Sequence, residues 1–203
     1  MSLLDRILGR KEVNYQFPYS TVAALKRQQI WDNLQQGIML EDKGIFLPWS
    51  TPYSELDRYK ETRTDLGDRT LWYLGHRQIL DGLTCHMEVM RWATQPWSST
   101  FDKFSENLGQ DEAGFERFNE RAKYLTDLLG EPTTRELEKF GSFDLGDITW
   151  RNKAVEISLV GIEIFSCRYS LNVGLINNSH DRDHKQAMDD LRAQGWTEDD
   201  LGK

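Results

Sequence analysis

The clearest hydrophobic pattern in the chain runs over residues 150–177. Apolar and polar side chains alternate along 155–159, and a second alternating run covers 169–175. A period of two residues is typical of a β-strand with one buried face. Neither run contains a proline, which would remove a hydrogen bond from the ladder. We therefore predict an antiparallel hairpin in the middle of a sheet, with Gly161 at a turn or a bulge.

Helical spacing marks two longer segments, about 20–36 and about 111–129, which end before Gly37 and Gly130. Apolar residues there recur every three or four positions, as expected for amphipathic helices with a glycine after the last turn. The predicted buried faces are Val22, Leu25, Ile30, Trp31 and Leu34 in the first helix, and Phe115, Phe118, Ala122, Leu125 and Leu129 in the second. Shorter helices are predicted at about 52–60, 99–108 and 184–194.

The remaining alternating runs predict more antiparallel sheet. Residues 44–47 form a short strand, and 71–75, 77–81 and 83–92 form a meander, with polar connections at 61–68 and 130–150. The fold class is α+β, an antiparallel β-sheet core with helices packed on it. We predict one domain, 1–203, in which 20–95 and 100–195 are candidate quasi-repeated units, each a helix followed by strands around one shared core.

Charge narrows the classes of partner. The chain of 203 residues carries a net charge of −8, and residues 101–150 alone hold twelve acidic and six basic side chains. A nucleic-acid-binding protein would carry a basic face instead, whereas a basic protein partner would be attracted. The sequence shows neither a membrane-spanning stretch nor a secretory signal pattern. We expect a cytoplasmic protein that binds neither nucleic acid nor membrane.

The strongest candidate for a metal site is the cluster His180, Asp181, Asp183 and His184. Two histidines four residues apart could ligate a divalent ion if they lay on a helix. The cluster follows a turn-forming Asn-Asn-Ser segment, however, and aspartates in a first helical turn favour the helix dipole without any ligand. We interpret the cluster as a helix cap and predict no metal site.

No catalytic motif stands out elsewhere. Cys85 and His86 are adjacent in a predicted strand, so their side chains point to opposite faces and do not form a nucleophile–base pair. Cys85 and Cys167 are interpreted as buried, reduced thiols, and His76 is placed in a turn. The seven tryptophans are assigned to core packing, with a ligand groove as the alternative. The sequence predicts no catalytic residue and no cofactor.

One surface feature breaks a local rule. Glu112, Glu116 and Glu120 recur at every fourth position of the predicted 111–129 helix, where like charges destabilise a helix by a few tenths of a kcal/mol per pair. One interpretation is a solvent-exposed face on which Arg117 and Lys123 reduce the repulsion between the glutamates. The other is a surface kept acidic for a basic partner, and on that interpretation these three glutamates, the acidic stripe, are the predicted partner-binding residues.

Three segments together suggest a family. Gly-Ile-Phe-Leu-Pro-Trp-Ser-Thr at 44–51, Leu-Leu-Gly-Glu-Pro at 128–132 and Trp-Arg-Asn-Lys-Ala-Val-Glu-Ile-Ser-Leu at 150–159 resemble a pattern of bacterial immunity proteins. These are small cytoplasmic antidotes to polymorphic or contact-delivered toxins. The resemblance implies a non-catalytic protein that binds a cognate toxin and occludes its active site, without a cofactor.

Two alternatives to this family remain open from the sequence. One is an enzyme with a site built from scattered carboxylates and His76 or His86. The other is a regulatory scaffold without a toxin partner.

Overall fold

The structure, a computed structural model, describes residues 19–108, 114–140, 143–163 and 167–176. Within these ranges lie two α-helices, a 3₁₀-helix and ten strands. In chain order they are α1 (Tyr19–Leu34), β1 (Gly37–Leu40), β2 (Ile45–Pro48), the 3₁₀-helix (Tyr53–Arg58), β3 (Thr62–Asp65), β4 (Arg69–Ile79), β5 (Leu83–Trp92), β6 (Lys103–Leu108), α2 (Gly114–Leu129), β7 (Thr134–Phe140), β8 (Phe143–Asn152), β9 (Val155–Glu163) and β10 (Cys167–Leu175).

Eight of these strands form one antiparallel sheet in the order β3-β4-β5-β6-β10-β9-β8-β7, and β1 pairs with β2 separately. Strands β3 to β6 and β7 to β10 are two meanders, and the last strand of one pairs with the last strand of the other. This architecture confirms the predicted α+β fold. The division into units 20–95 and 100–195 stays a prediction, although a helix does precede each meander.

The predicted hairpin is confirmed as β9 and β10, which lie in the interior of the sheet. Ile157 faces Val173 and Leu159 faces Leu171 across the hairpin, and all four side chains are fully buried. Burial of each such side chain stabilises the fold by about 1.5–3 kcal/mol.

The prediction of a turn or a bulge at Gly161 is wrong. Gly161 continues the ladder opposite Tyr169. The reason for a glycine is close packing by the second helix. A Cβ at this position would come within 2.8 Å of the ring of Phe118.

Helix α2 covers one face of the sheet, which we call the covered face. Its buried residues are Gly114, Phe118, Ala122, Leu125 and Leu129. Four of the five predicted residues are thus buried, whereas Phe115 is only partly buried. The helix ends at Leu129. Gly130 follows it with a left-handed φ of 95°, and its N–H donates to the carbonyl oxygen of Thr126. The indole N–H of Trp150 then donates to the Gly130 carbonyl oxygen at 2.9 Å, which satisfies a carbonyl at the helix end.

Helix α1 buries apolar side chains near its C-terminal end. Trp31 and Leu34 are buried, whereas Val22 is 53% and Leu25 is 63% exposed. The predicted continuous apolar face is therefore wrong for the first half of this helix. Helical spacing predicts which residues share a side, but the neighbouring elements decide how far along the helix that side is covered.

Four other predictions of local structure are wrong. Residues 103–108, predicted as part of a helix, form β6. The predicted polar connections contain β3 in 61–68 and the β7–β8 hairpin in 130–150. The predicted strands 71–75 and 77–81 are one strand, β4, with a register shift between Tyr73 and Gly75. The short helix predicted at 52–60, by contrast, is present as a 3₁₀-helix that buries Tyr53 and Leu56.

The face of the sheet opposite α2, here called the open face, carries polar and aromatic side chains. A row of cross-strand partners runs over it from Tyr73 through Glu88, Ser105 and Asn172 to Ser158. All five are only partly buried. In the part of the chain that the structure describes, no helix is long and apolar enough to cross a membrane.

Candidate functional site

Two of the three glutamates of the acidic stripe lie on the solvent side of α2. Glu116 and Glu120 are exposed, while Phe118 and Ala122 on the other side of the helix are buried. Glu112 precedes the helix and lies outside the described residues. The structure thus places two of the three predicted partner-binding residues one helical turn apart on an exposed surface.

These two carboxylates have no ion-pair partner among the described residues. Lys123, the expected neighbour of Glu120, instead forms an ion pair with Asp127 at 2.8 Å between Nζ and Oδ2. That hydrogen bond raises the pKa of Lys123. The like-charge repulsion between Glu116 and Glu120 is therefore not relieved by Lys123, and both carboxylates remain available to an approaching cation.

A second charged group, which the sequence did not reveal, is buried between α2 and the sheet. Glu106 of β6 is 1% exposed, and its Oε1 accepts a hydrogen bond from the backbone N–H of His86 at 2.9 Å. Nη2 of Arg121 lies 3.8 Å from the same oxygen and donates to the carbonyl oxygen of Thr84 at 2.6 Å. Arg121 therefore ties the helix that carries the acidic stripe to β5 and β6.

The thiol and phenol beside this ion pair are poor nucleophiles. Burial, reinforced by the charge of Glu106, raises the pKa of Cys85, and burial raises the pKa of Tyr169. Both groups are therefore neutral at pH 7, and a thiol in this state is inert. Cys85 is fully buried on the covered face, as predicted. The side chain of Cys167 lies outside the described residues.

Two histidines come together on the open face. His76, predicted in a turn, lies within β4 directly opposite His86 of β5. Their ring centroids are 5.0 Å apart, and the ring of Tyr73 stacks on His86 at 6.1 Å and an interplanar angle of 14°. The alternation of β5 separates the His86 ring from the buried Cys85, so the structure does not bring this cysteine and histidine together.

Most of the described tryptophans serve the core. The buried ones are Trp31, Trp49, Trp72 and Trp150. Trp31 and Trp150 also line a cleft of about 320 Å³, together with Arg27 and Arg151. Trp97 is 42% exposed, and the guanidinium groups of Arg63 and Arg91 lie over its ring, at 4.9 and 3.9 Å from the centroid.

Within the described residues, no three His, Cys, Asp or Glu side chains converge as a metal centre. The predicted cap at His180, Asp181, Asp183 and His184 lies outside those residues.

Comparison of the chain with protein-family models, with curated proteins and with solved structures finds no match. The fold is α+β, and helix α2 presents two exposed glutamates, Glu116 and Glu120, that have no ion-pair partner within the described part of the chain.

Proposed function

We propose that this chain is a non-catalytic cytoplasmic protein of the immunity type, which binds a cognate bacterial toxin and occludes its active site. The observation that carries the proposal is the exposed pair Glu116 and Glu120, which repel each other without a described ion-pair partner. A solvated helix face would be more stable with alternating charges. We infer that this repulsion is retained because the surface meets a basic partner.

The helix presents these carboxylates on a rigid support. Phe118 packs over Gly161, and Arg121 links the same helix to the sheet. A partner that binds here would order few additional residues, so little of its binding free energy would be lost to conformational entropy.

The expected electrostatic effect can be sized from Coulomb's law. At about 10 Å in water, each carboxylate attracts a unit positive charge by about 0.4 kcal/mol. The three glutamates together then contribute about 1.2 kcal/mol, or roughly an eightfold faster association at low salt. At 0.1 M salt the Debye length is about 10 Å, which leaves an effect of about twofold.

A test requires the toxin, sought in the reading frame next to this gene. Replacement of Glu112, Glu116 and Glu120 by Gln should slow association about eightfold at low salt and weaken its salt dependence. Stopped-flow fluorescence at two ionic strengths measures both quantities. The fold should be unchanged or slightly stabilised, because the repulsion along the helix is removed.

A matched control separates the stripe from the net charge. Glu131, Glu136 and Glu138 are also exposed, and their replacement by Gln changes the net charge by the same amount. Equal slowing by the two triple variants would remove the stripe from the interface. Failure of the wild type to bind any neighbouring toxin would contradict the proposed function itself.

An enzyme is the second candidate, and the specific observation in its favour is the contact between His76 and His86. The buried carboxylate of Glu106 does not join this pair, because it lies on the covered face. It reaches only the backbone N–H of His86. The histidines therefore lack the buried carboxylate as an orienting partner.

A further inference from the structure

The contact between His76 and His86 is a geometric feature that the proposed function does not use. The two residues are direct cross-strand partners in β4 and β5, so their Cβ atoms lie about 4.5–5.5 Å apart on the same face. His76 is exposed and His86 is partly buried. Both rings are therefore within reach of solvent and of an ion dissolved in it.

The separation of the rings matches that of two imidazoles bound to one ion. With metal–nitrogen bonds of about 2.0–2.1 Å, ring centroids lie about 4.5 Å apart at a right angle between the bonds. At a tetrahedral angle they lie about 5.2 Å apart. The observed centroid distance of 5.0 Å falls between these values.

The surroundings hold one ring in place and leave the other open. Tyr73 stacks on His86 at an interplanar angle of 14°, which restricts the orientation of that imidazole. His76 is exposed and can turn toward an ion. A partly pre-organised pair of ligands loses less conformational entropy on binding than two free side chains would.

We propose that His76 and His86 bind one divalent transition-metal ion on the open face. Imidazole nitrogens favour zinc, copper and nickel, whereas magnesium and calcium require oxygen ligands. No third His, Cys, Asp or Glu completes a cluster within the described residues, so water fills the remaining positions of the ion. This site departs from the prediction of no metal and does not depend on the proposed toxin.

The test is isothermal titration of Zn²⁺ into the full chain. The chain contains four histidines, and the variant His180→Ala/His184→Ala removes the two outside the described residues. In this background we expect one zinc ion per chain. His76→Gln should weaken binding at least tenfold, because a single imidazole cannot chelate.

Two further variants keep the result interpretable. His86→Phe retains a ring against Tyr73 while it removes the ligand, so it should fold and lose zinc binding. Gln78→Ala, two residues from His76 on the same strand, should leave zinc affinity unchanged. Absence of saturable binding in the background variant, or binding that survives either histidine substitution, would overturn the proposal.

Discussion

Removal of Arg121 tests how firmly the helix of the acidic stripe is held on the sheet. Nη2 of Arg121 lies 3.8 Å from Oε1 of Glu106, and the two side chains are only 19% and 2% exposed. At an effective dielectric constant of about 20, this separation corresponds to a gross attraction of about 4 kcal/mol. Arg121→Ala also abolishes the hydrogen bond to Thr84 and leaves the buried carboxylate without its cation, so we expect a loss of about 3 kcal/mol in unfolding free energy.

A double-mutant cycle isolates the ion pair from the other contacts of Arg121. In the Glu106→Gln background the buried charge is absent, and Arg121→Ala should cost only about 1.5 kcal/mol, for the lost hydrogen bond and packing. The expected coupling is therefore about 1.5 kcal/mol. Urea unfolding followed by circular dichroism measures all four variants. Equal costs of Arg121→Ala in the two backgrounds would refute the reasoning that the pair anchors the helix.

Three further predictions concern the core, pH and the histidine cluster. Ile157→Asp should prevent folding because Ile157 is fully buried, whereas Glu156→Ala should cost less than about 1 kcal/mol; similar melting temperatures would contradict the strand register. Burial and the adjacent Glu136 raise the pKa of Asp147, so the ionised group costs stability at neutral pH. Asp147→Asn should raise the melting temperature at pH 7 but not below about pH 4, where the unfolded carboxyl is also protonated; the same gain at both pH values would argue against this cause. His180→Ala/His184→Ala should have the same melting temperature as the wild type, both without zinc and at any one zinc concentration. A zinc-dependent difference in melting temperature between the two proteins would indicate a metal site there.

The elements with the strongest periodicity were predictable from the sequence. The β9–β10 hairpin alternates over most of its length, and α2 repeats its apolar residues at helical spacing until Gly130 stops it. Each pattern agrees with the side that tertiary packing buries. In these elements the local sequence preference agrees with the tertiary packing, so the sequence alone predicts them.

Strand β6 shows where this reasoning fails. Phe101 and Phe104 are three residues apart, a spacing typical of a helix, yet only Phe104 belongs to the strand. The strand directs Phe104 and Glu106 to the covered face. A buried glutamate disguises the alternation, because a strand pattern assigns a charged residue to the solvent side. Arg121, on the next element of the chain, and the backbone N–H of His86 make this placement favourable.

The sequence does not predict the β7–β8 hairpin, for a different reason. Strand β7 lies at the edge of the sheet, and its residues Thr134, Arg135, Glu136 and Glu138 are exposed. Charged residues on an edge strand discourage pairing with other chains, but they also make the strand resemble a polar connection.

The candidate sites also differ in whether the sequence alone predicts them. The acidic stripe depends on spacing within one helix and was visible in the sequence. The Glu106–Arg121 pair and the His76–His86 pair depend on the register between separate elements. No spacing along the chain encodes that register directly. The alternation over 83–92 predicts His86 on the face opposite Cys85. The irregularity of β4 between Tyr73 and Gly75 interrupts the pattern, so the sequence predicts a turn at His76.

The most direct test of the proposed function is a stoichiometric titration of toxin activity. Purified cognate toxin is mixed with increasing amounts of this protein, and residual activity is measured against the molar ratio and against time. A binding protein that occludes the active site predicts a linear fall to zero at about one equivalent, independent of time, with the toxin recovered intact from the complex. Progressive inactivation far below one equivalent would indicate turnover by an enzyme, and full activity at every ratio would contradict the immunity function.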